Sequence, residues 1–130
     1  MRYQMPNYPC EFEIPDSWLA EAGMNGFSPT ESAFCSSVDA VLVPLTEVEP
    51  PMRRPTTLKD WRGFDHDRLL RILKGFVEGD EIPWVPLLEL PHVSEFTPRP
   101  YRYRVRDGYH RYYASVAAGF ECLPGSVQPA

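Results

Sequence analysis

Fifteen of the 130 residues are proline, and they gather in connections such as Val48-Glu49-Pro50-Pro51 and Phe96-Thr97-Pro98-Arg99-Pro100. Each proline fixes φ and removes a backbone donor, which keeps it out of helix interiors and out of central strand ladders. The elements between these clusters are therefore short. A hydrophobic content of 43% is still enough for one real core, so residues 1–130 read as a single domain.

The short segments carry distinct periods. Tyr8 to Ile14 alternates aromatic and apolar residues with acids, as a strand does, and Pro15 to Ala22 reads as a brief helix ended by Gly23. A Ser-rich stretch through Ser37 reads as mobile. Ala40-Val41-Leu42-Val43-Pro44-Leu45 suits a buried strand stopped by Pro44. Pro50 to Gly63, with Arg53, Arg54, Lys59 and Arg62, has no clean period and reads as a long basic loop able to cover a site.

From Asp65 the period changes to that of a helix. Leu69, Ile72, Leu73 and Phe76 fall on one face and Asp67, Arg68, Arg71 and Lys74 on the other. Gly75 and Gly79 weaken and then end it, and the acidic turn Glu78-Gly79-Asp80-Glu81 reads as a solvated helix exit more than as a magnesium site. Trp84 to Leu90 returns as a strand, and Tyr101 to Val105 alternates as a half-exposed strand should. A second helix runs from about Tyr109 to Gly119, and Cys122 to Val127 forms a last strand. No internal repeat is present.

Charge and cysteine usage exclude several classes. A net charge of -5 argues against the broad basic surface that non-specific nucleic-acid binding requires. Cys10, Cys35 and Cys122 are odd in number and far apart, which fits neither a disulfide framework nor a zinc knuckle and suits a reducing cytoplasm. The start lacks the apolar core of a signal peptide, and no segment approaches the roughly 18 continuous apolar residues of a membrane helix, so a soluble protein is expected. His66 lies between Asp65 and Asp67, but adjacent positions do not share a helix face, and no metal constellation is expected.

Chemistry concentrates in Arg106-Asp107-Gly108-Tyr109-His110-Arg111, where an extended segment gives way to a helix. Gly108 lets backbone approach a ligand, the first helix amides of Tyr109 to Arg111 lack internal partners, and Arg111 offers a fork of donors to phosphate oxygens. The plainer reading of the same residues is a strand-to-helix turn in which Asp107 caps the helix and Arg111 pairs with a surface acid. The tyrosines at 101, 103, 109, 112 and 113 read chiefly as a packed wall beside the turn.

The order of these elements resembles the ParB/sulfiredoxin superfamily. The likeness is carried by a strand ending at Pro44-Leu45, a helix over Asp65 to Val77, Gly79-Asp80-Glu81-Ile82-Pro83 leading into a strand, and Asp107-Gly108-Tyr109-His110-Arg111 opening an alanine-bearing helix that ends in Ala118-Gly119-Phe120. It implies an α+β fold, a small mixed β-sheet with helices packed against it, over residues 40–127. Residues 1–39 form an extension that the family does not match. It also implies a nucleotide-phosphate cradle, serving ATP, CTP or ADP in different branches, with Gly108, Tyr109, His110 and Arg111 holding phosphate. Asp107 and His110 are then the catalytic candidates for a phosphotransferase or nucleotide hydrolase working with Mg²⁺.

Two departures narrow the resemblance. Sulfiredoxins carry their catalytic cysteine where Tyr109 stands, which removes the reductase reading. The free serine kinases share D-G-H-H-R, matched here in four of five places, but their glutamate after the first core strand corresponds to Pro50-Pro51-Met52-Arg53, with Glu47 and Glu49 too early. A non-enzymatic module that binds a protein partner, with the N-terminal segment as contact surface, is the alternative from another class. DNA binding is a weaker third.

Overall fold

Why the short segments hold together is visible in the order in which they pair. A computed structural model describes residues 1–7, 9–51, 63–91 and 101–129. Strands β1 (Arg2–Gln4) and β2 (Glu11–Glu13) form an antiparallel hairpin in which Tyr3 faces Phe12. Helix α1 (Asp16–Glu21) follows. Five further strands, β3 (Val41–Pro44), β4 (Val48–Glu49), β5 (Val85–Glu89), β6 (Tyr103–Val105) and β7 (Cys122–Pro129), make a curled mixed sheet in the order β3-β7-β5-β6-β4. The β5–β7 and β4–β6 pairs are parallel and the other two antiparallel. Helices α2 (His66–Glu78) and α3 (Tyr109–Ala118) complete an α+β architecture, and no helix among the described residues is long and apolar enough to cross a membrane.

The α2 stripe anticipated from the sequence is the one that is buried. Leu69, Leu70, Leu73 and Phe76 enter the core, while Ile72 is half-buried. Asp65 caps the helix, its carboxylate accepting from the Arg68 amide at 3.1 Å, and Gly79 ends it in the left-handed conformation. On α3 the small residues Ala114, Ser115 and Ala118 are buried beside Tyr112 and Tyr113, and Gly119 closes the helix.

Three expectations about individual segments change. Residues 41–44 do form a strand, but β3 lies at the sheet edge, and Val41 and Leu42 are 56% and 54% exposed with only Val43 buried. An apolar run cannot report which strands flank it. The Ser-rich stretch has no regular structure, yet it is tied down: Cys35 O accepts from the Ile82 amide at 2.8 Å, Ser32 O from the Cys122 amide at 2.8 Å, and buried Phe34 stacks on Phe76 at 5.4 Å. Of the strand expected over Tyr8 to Ile14, Tyr8 lies outside the described residues and the described part forms β2 at Glu11–Glu13. Arg53, Arg54, Lys59 and Arg62 fall outside the described residues.

Met5, Phe12, Ile14, Leu19, Ala22 and Phe34 share one core cluster with the sheet and α2. The first 37 residues thus contribute to the common interior, and their removal would open it. Within the sheet, Gly125 lies in register with both Val41 and Val85. A Cβ there would stand 2.6 Å from Leu87 Cδ1 and 3.4 Å from the Val85 carbonyl. Leu87 is fully buried and has little room to yield. Gly125→Ala is expected to destabilise the fold by about 1–3 kcal/mol in urea unfolding; a midpoint equal to that of the parent chain would show the β5–β7 seam to be loosely packed.

Candidate functional site

The segment Asp107 to Arg111 sits where β6 ends and α3 begins, and Gly108 is the residue before the helix, with φ of 122°. The residue before the helix is a glycine with no side chain to cap it, and Asp107 is exposed and does not cap it, which removes that part of the plainer reading. The amides of Tyr109, His110 and Arg111 have no acceptor within the helix, whose first internal bond runs from the Tyr112 amide to Gly108 O at 2.9 Å.

Arg111 folds back toward the start of β5. Its Nη1 donates to Pro83 O at 3.0 Å and to Trp84 O at 2.6 Å. Nε and Nη2 lie over Gly108, each 3.3 Å from where a Cβ would stand, and neither has a hydrogen-bond partner among the described residues. The guanidinium is half-buried and forms no ion pair among the described residues. Burial lowers its pKa from the ordinary value, and the nearby Asp107 carboxylate acts in the opposite direction. A desolvated cation held by carbonyl dipoles, with spare donors beside a helix N-terminus, is chemically able to hold an anion.

His110 is placed differently from Arg111. Its Nε2 accepts the Asp65 amide at 2.9 Å, which assigns the ring the tautomer with the proton on Nδ1. That bond joins the starts of α2 and α3, so this nitrogen serves the scaffold. Tyr109 is packed among aromatic rings, 5.7 Å from Phe64, 5.1 Å from His110 and 4.9 Å from Tyr113. Of the tyrosines expected to form a wall beside the turn, Tyr109, Tyr112 and Tyr113 pack ring against ring, whereas the Tyr101 hydroxyl donates to Asn7 O at 2.8 Å. Tyr113 donates to Pro51 O at 2.6 Å, whereas the fully buried Tyr112 hydroxyl has no partner among the described residues and burial pushes its pKa up.

Sequence reasoning brought out Asp107, Gly108, Tyr109, His110 and Arg111 but not the groups that orient them. The Pro83 and Trp84 carbonyls and the Asp65 amide are backbone atoms, 27 to 45 residues away in sequence, and no residue-type signal marks them. Beside the same Pro83-Trp84 segment lies a cleft of about 380 Å³ lined by Ser36, Ser37, Glu81, Pro83 and Trp84. The Ser36 Oγ there is buried without a partner among the described residues. Glu81, from the acidic turn, is exposed and lies in the wall of this cleft.

A second polar cluster corrects an expectation. His66 does meet its sequence neighbour: Nδ1 is 3.0 Å from Asp67 Oδ1, and Nε2 is 3.0 Å from Glu21 Oε2. His66 opens α2, and in the first turn a short aspartate can turn back along the helix rim. The two carboxylates lie at opposite nitrogens of one ring, so they do not converge on a common ion. No group of three or more His, Cys, Asp or Glu side chains that could hold a metal is present among the described residues.

No protein-family model matches the chain, and neither a curated protein nor a solved structure matches it.

Two outcomes follow. A side chain at position 108 would be strained by the positive φ and would press on Val85 Cγ1 at 3.0 Å, so Gly108→Ala is expected to cost about 1–3 kcal/mol in urea unfolding. For His66, the Glu21 hydrogen bond first and the Asp67 one next raise its pKa above 6.5. A raised folded-state value stabilises fully below about pH 6.5 and is lost as pH rises through that folded value. The stability gap between the parent chain and Glu21→Gln should accordingly shrink from about pH 6 to pH 8; a gap that widens would overturn the assignment.

Proposed function

We propose that the chain binds the phosphate of a nucleotide at the start of α3, in a ParB/sulfiredoxin-like fold. The observation that carries this reading is Arg111: a half-buried guanidinium, fixed through Nη1 to the Pro83 and Trp84 carbonyls, with Nε and Nη2 turned over Gly108 at the start of α3. Carbonyl dipoles satisfy the geometry of one nitrogen but do not neutralise the charge. A phosphate oxygen would do both, accepting from Nε and Nη2 as a fork and from the helix amides.

The cleft next to Pro83 and Trp84 supports placing the rest of the ligand there, with Trp84 as an aromatic wall and the Ser36 and Ser37 hydroxyls as polar contacts. Asp107, exposed one residue before Gly108, is the carboxylate available to share a Mg²⁺ with the ligand's phosphates, since Mg²⁺ commonly takes only one or two protein carboxylates. His110 orients the turn through Asp65. Phosphoryl transfer or nucleotide hydrolysis is the activity that this arrangement would serve, with electrostatic stabilisation from Arg111 and the amides as its main source. The three cysteines, all free, support a reducing cytoplasmic setting.

Calorimetric titration with ATP, ADP and CTP, each with Mg²⁺, tests the reading. At least one is expected to bind, and Arg111→Ala to weaken it on the order of tenfold or more, because a charge-assisted fork is lost. Arg111→Lys should not restore binding, since one ammonium cannot hold both carbonyls and offer a planar pair of donors. Silence for all three nucleotides in a folded protein would sink the proposal.

A further inference from the structure

His66 stands at the first position of α2 with a carboxylate at each ring nitrogen, Glu21 from α1 and Asp67 from its own helix, both at 3.0 Å. A neutral imidazole has one N–H, so one nitrogen lone pair would face a carboxylate. Only the imidazolium donates to both. Trp18, also on α1, closes another side with its ring edge-on at 4.8 Å. The protonated ring is therefore a bolt between α1 and the start of α2, and the neutral ring is a weaker one.

That start is directly joined to the anion site. Asp65, bonded covalently to His66, gives its amide to His110 Nε2, and His110 precedes Arg111. The charged and titratable groups around His66 among the described residues are Glu21 from α1, Asp67, Asp65 and Arg68 from α2, and His110 reached from α3 through Asp65. Asp65 is engaged with the Arg68 amide, which leaves Glu21 and Asp67 as the acids that answer to the His66 proton.

We propose that His66 is a proton-operated clasp whose closure steadies Asp65 against His110, so that the phosphate grip at the start of α3 tightens as pH falls through neutrality. The inference rests on the anion-binding reading above and assigns that site a regulator. His66 is a positioning residue and touches no ligand. The clasp is at the surface, so its effect on affinity is modest, about two- to fivefold.

Sulfate is the probe, because it keeps its double charge across the range in which phosphate titrates. Its affinity is measured near pH 6 and near pH 7.5 for the parent chain, His66→Gln and Glu21→Gln, while NMR follows the Asp65 amide and the His110 ring over the same interval. The parent chain should bind sulfate about two- to fivefold tighter at the lower pH, and both variants should lose most of that ratio. The Asp65 amide and His110 ring shifts should track the His66 titration and cease to do so in His66→Gln. An unchanged pH ratio in both variants overturns the clasp, as does an Asp65 amide indifferent to His66. If sulfate binds at neither pH, the anion reading itself has failed, and the NMR titration alone decides whether the clasp exists.

Discussion

The tie from Arg111 to the Pro83 and Trp84 carbonyls is the constraint around which the candidate site is arranged. It fastens the start of α3 to the entrance of β5, beside the bond that the Arg106 amide gives Pro86 O at 2.9 Å. It also forces a glycine at position 108, because the guanidinium and Val85 occupy the space that a Cβ would need. Hydrogen bonds to a charged donor contribute about 1.5–3 kcal/mol when well shielded, and less for a half-exposed group such as this one. The tie therefore fixes geometry more than it stabilises the fold, and it leaves a charge unanswered.

The interior that supports this tie contains two groups of aromatic rings among its aliphatic residues. Phe12, Phe64, Tyr109 and Tyr113 interlock at centroid distances of about 5 to 6 Å, and Phe34, Phe76 and Phe120 form a second group beside α2. Edge-on and offset pairs of this kind resist sliding, which suits a chain whose strands are only a few residues long. The N-terminal hairpin supplies Phe12 and so joins the same interior.

The elements with a local cause were legible in the residues. The α2 stripe follows the helical period, Asp65 and Gly79 bound it, and the Tyr109 to Gly119 helix ends where a left-handed glycine stands. What escaped were features whose cause is remote. Residues 41–44 read as buried because they are apolar, yet burial depends on what packs over each face of the strand, and on β3 only Val43 is covered. Phe34 looked like part of a loose serine-rich stretch, since the Phe76 ring that receives it lies 42 positions on. Asp67 and His66 seemed unable to meet because the helical wheel describes a helix interior, and these residues open one.

By itself the sequence determined that the chain makes short elements, that two helices end at glycines, and that glycine, histidine and arginine cluster where the second helix starts. Those are matters of φ, period and adjacency, which neighbours along the chain decide. Only the tertiary structure decided how those three residues divide the work. His110 spends a nitrogen on the Asp65 amide, Arg111 spends one on two carbonyls, and Gly108 makes room beneath it. Each partner is a backbone atom brought up by packing, and since every residue carries the same backbone groups, nothing in a side-chain alphabet can announce which of them will arrive.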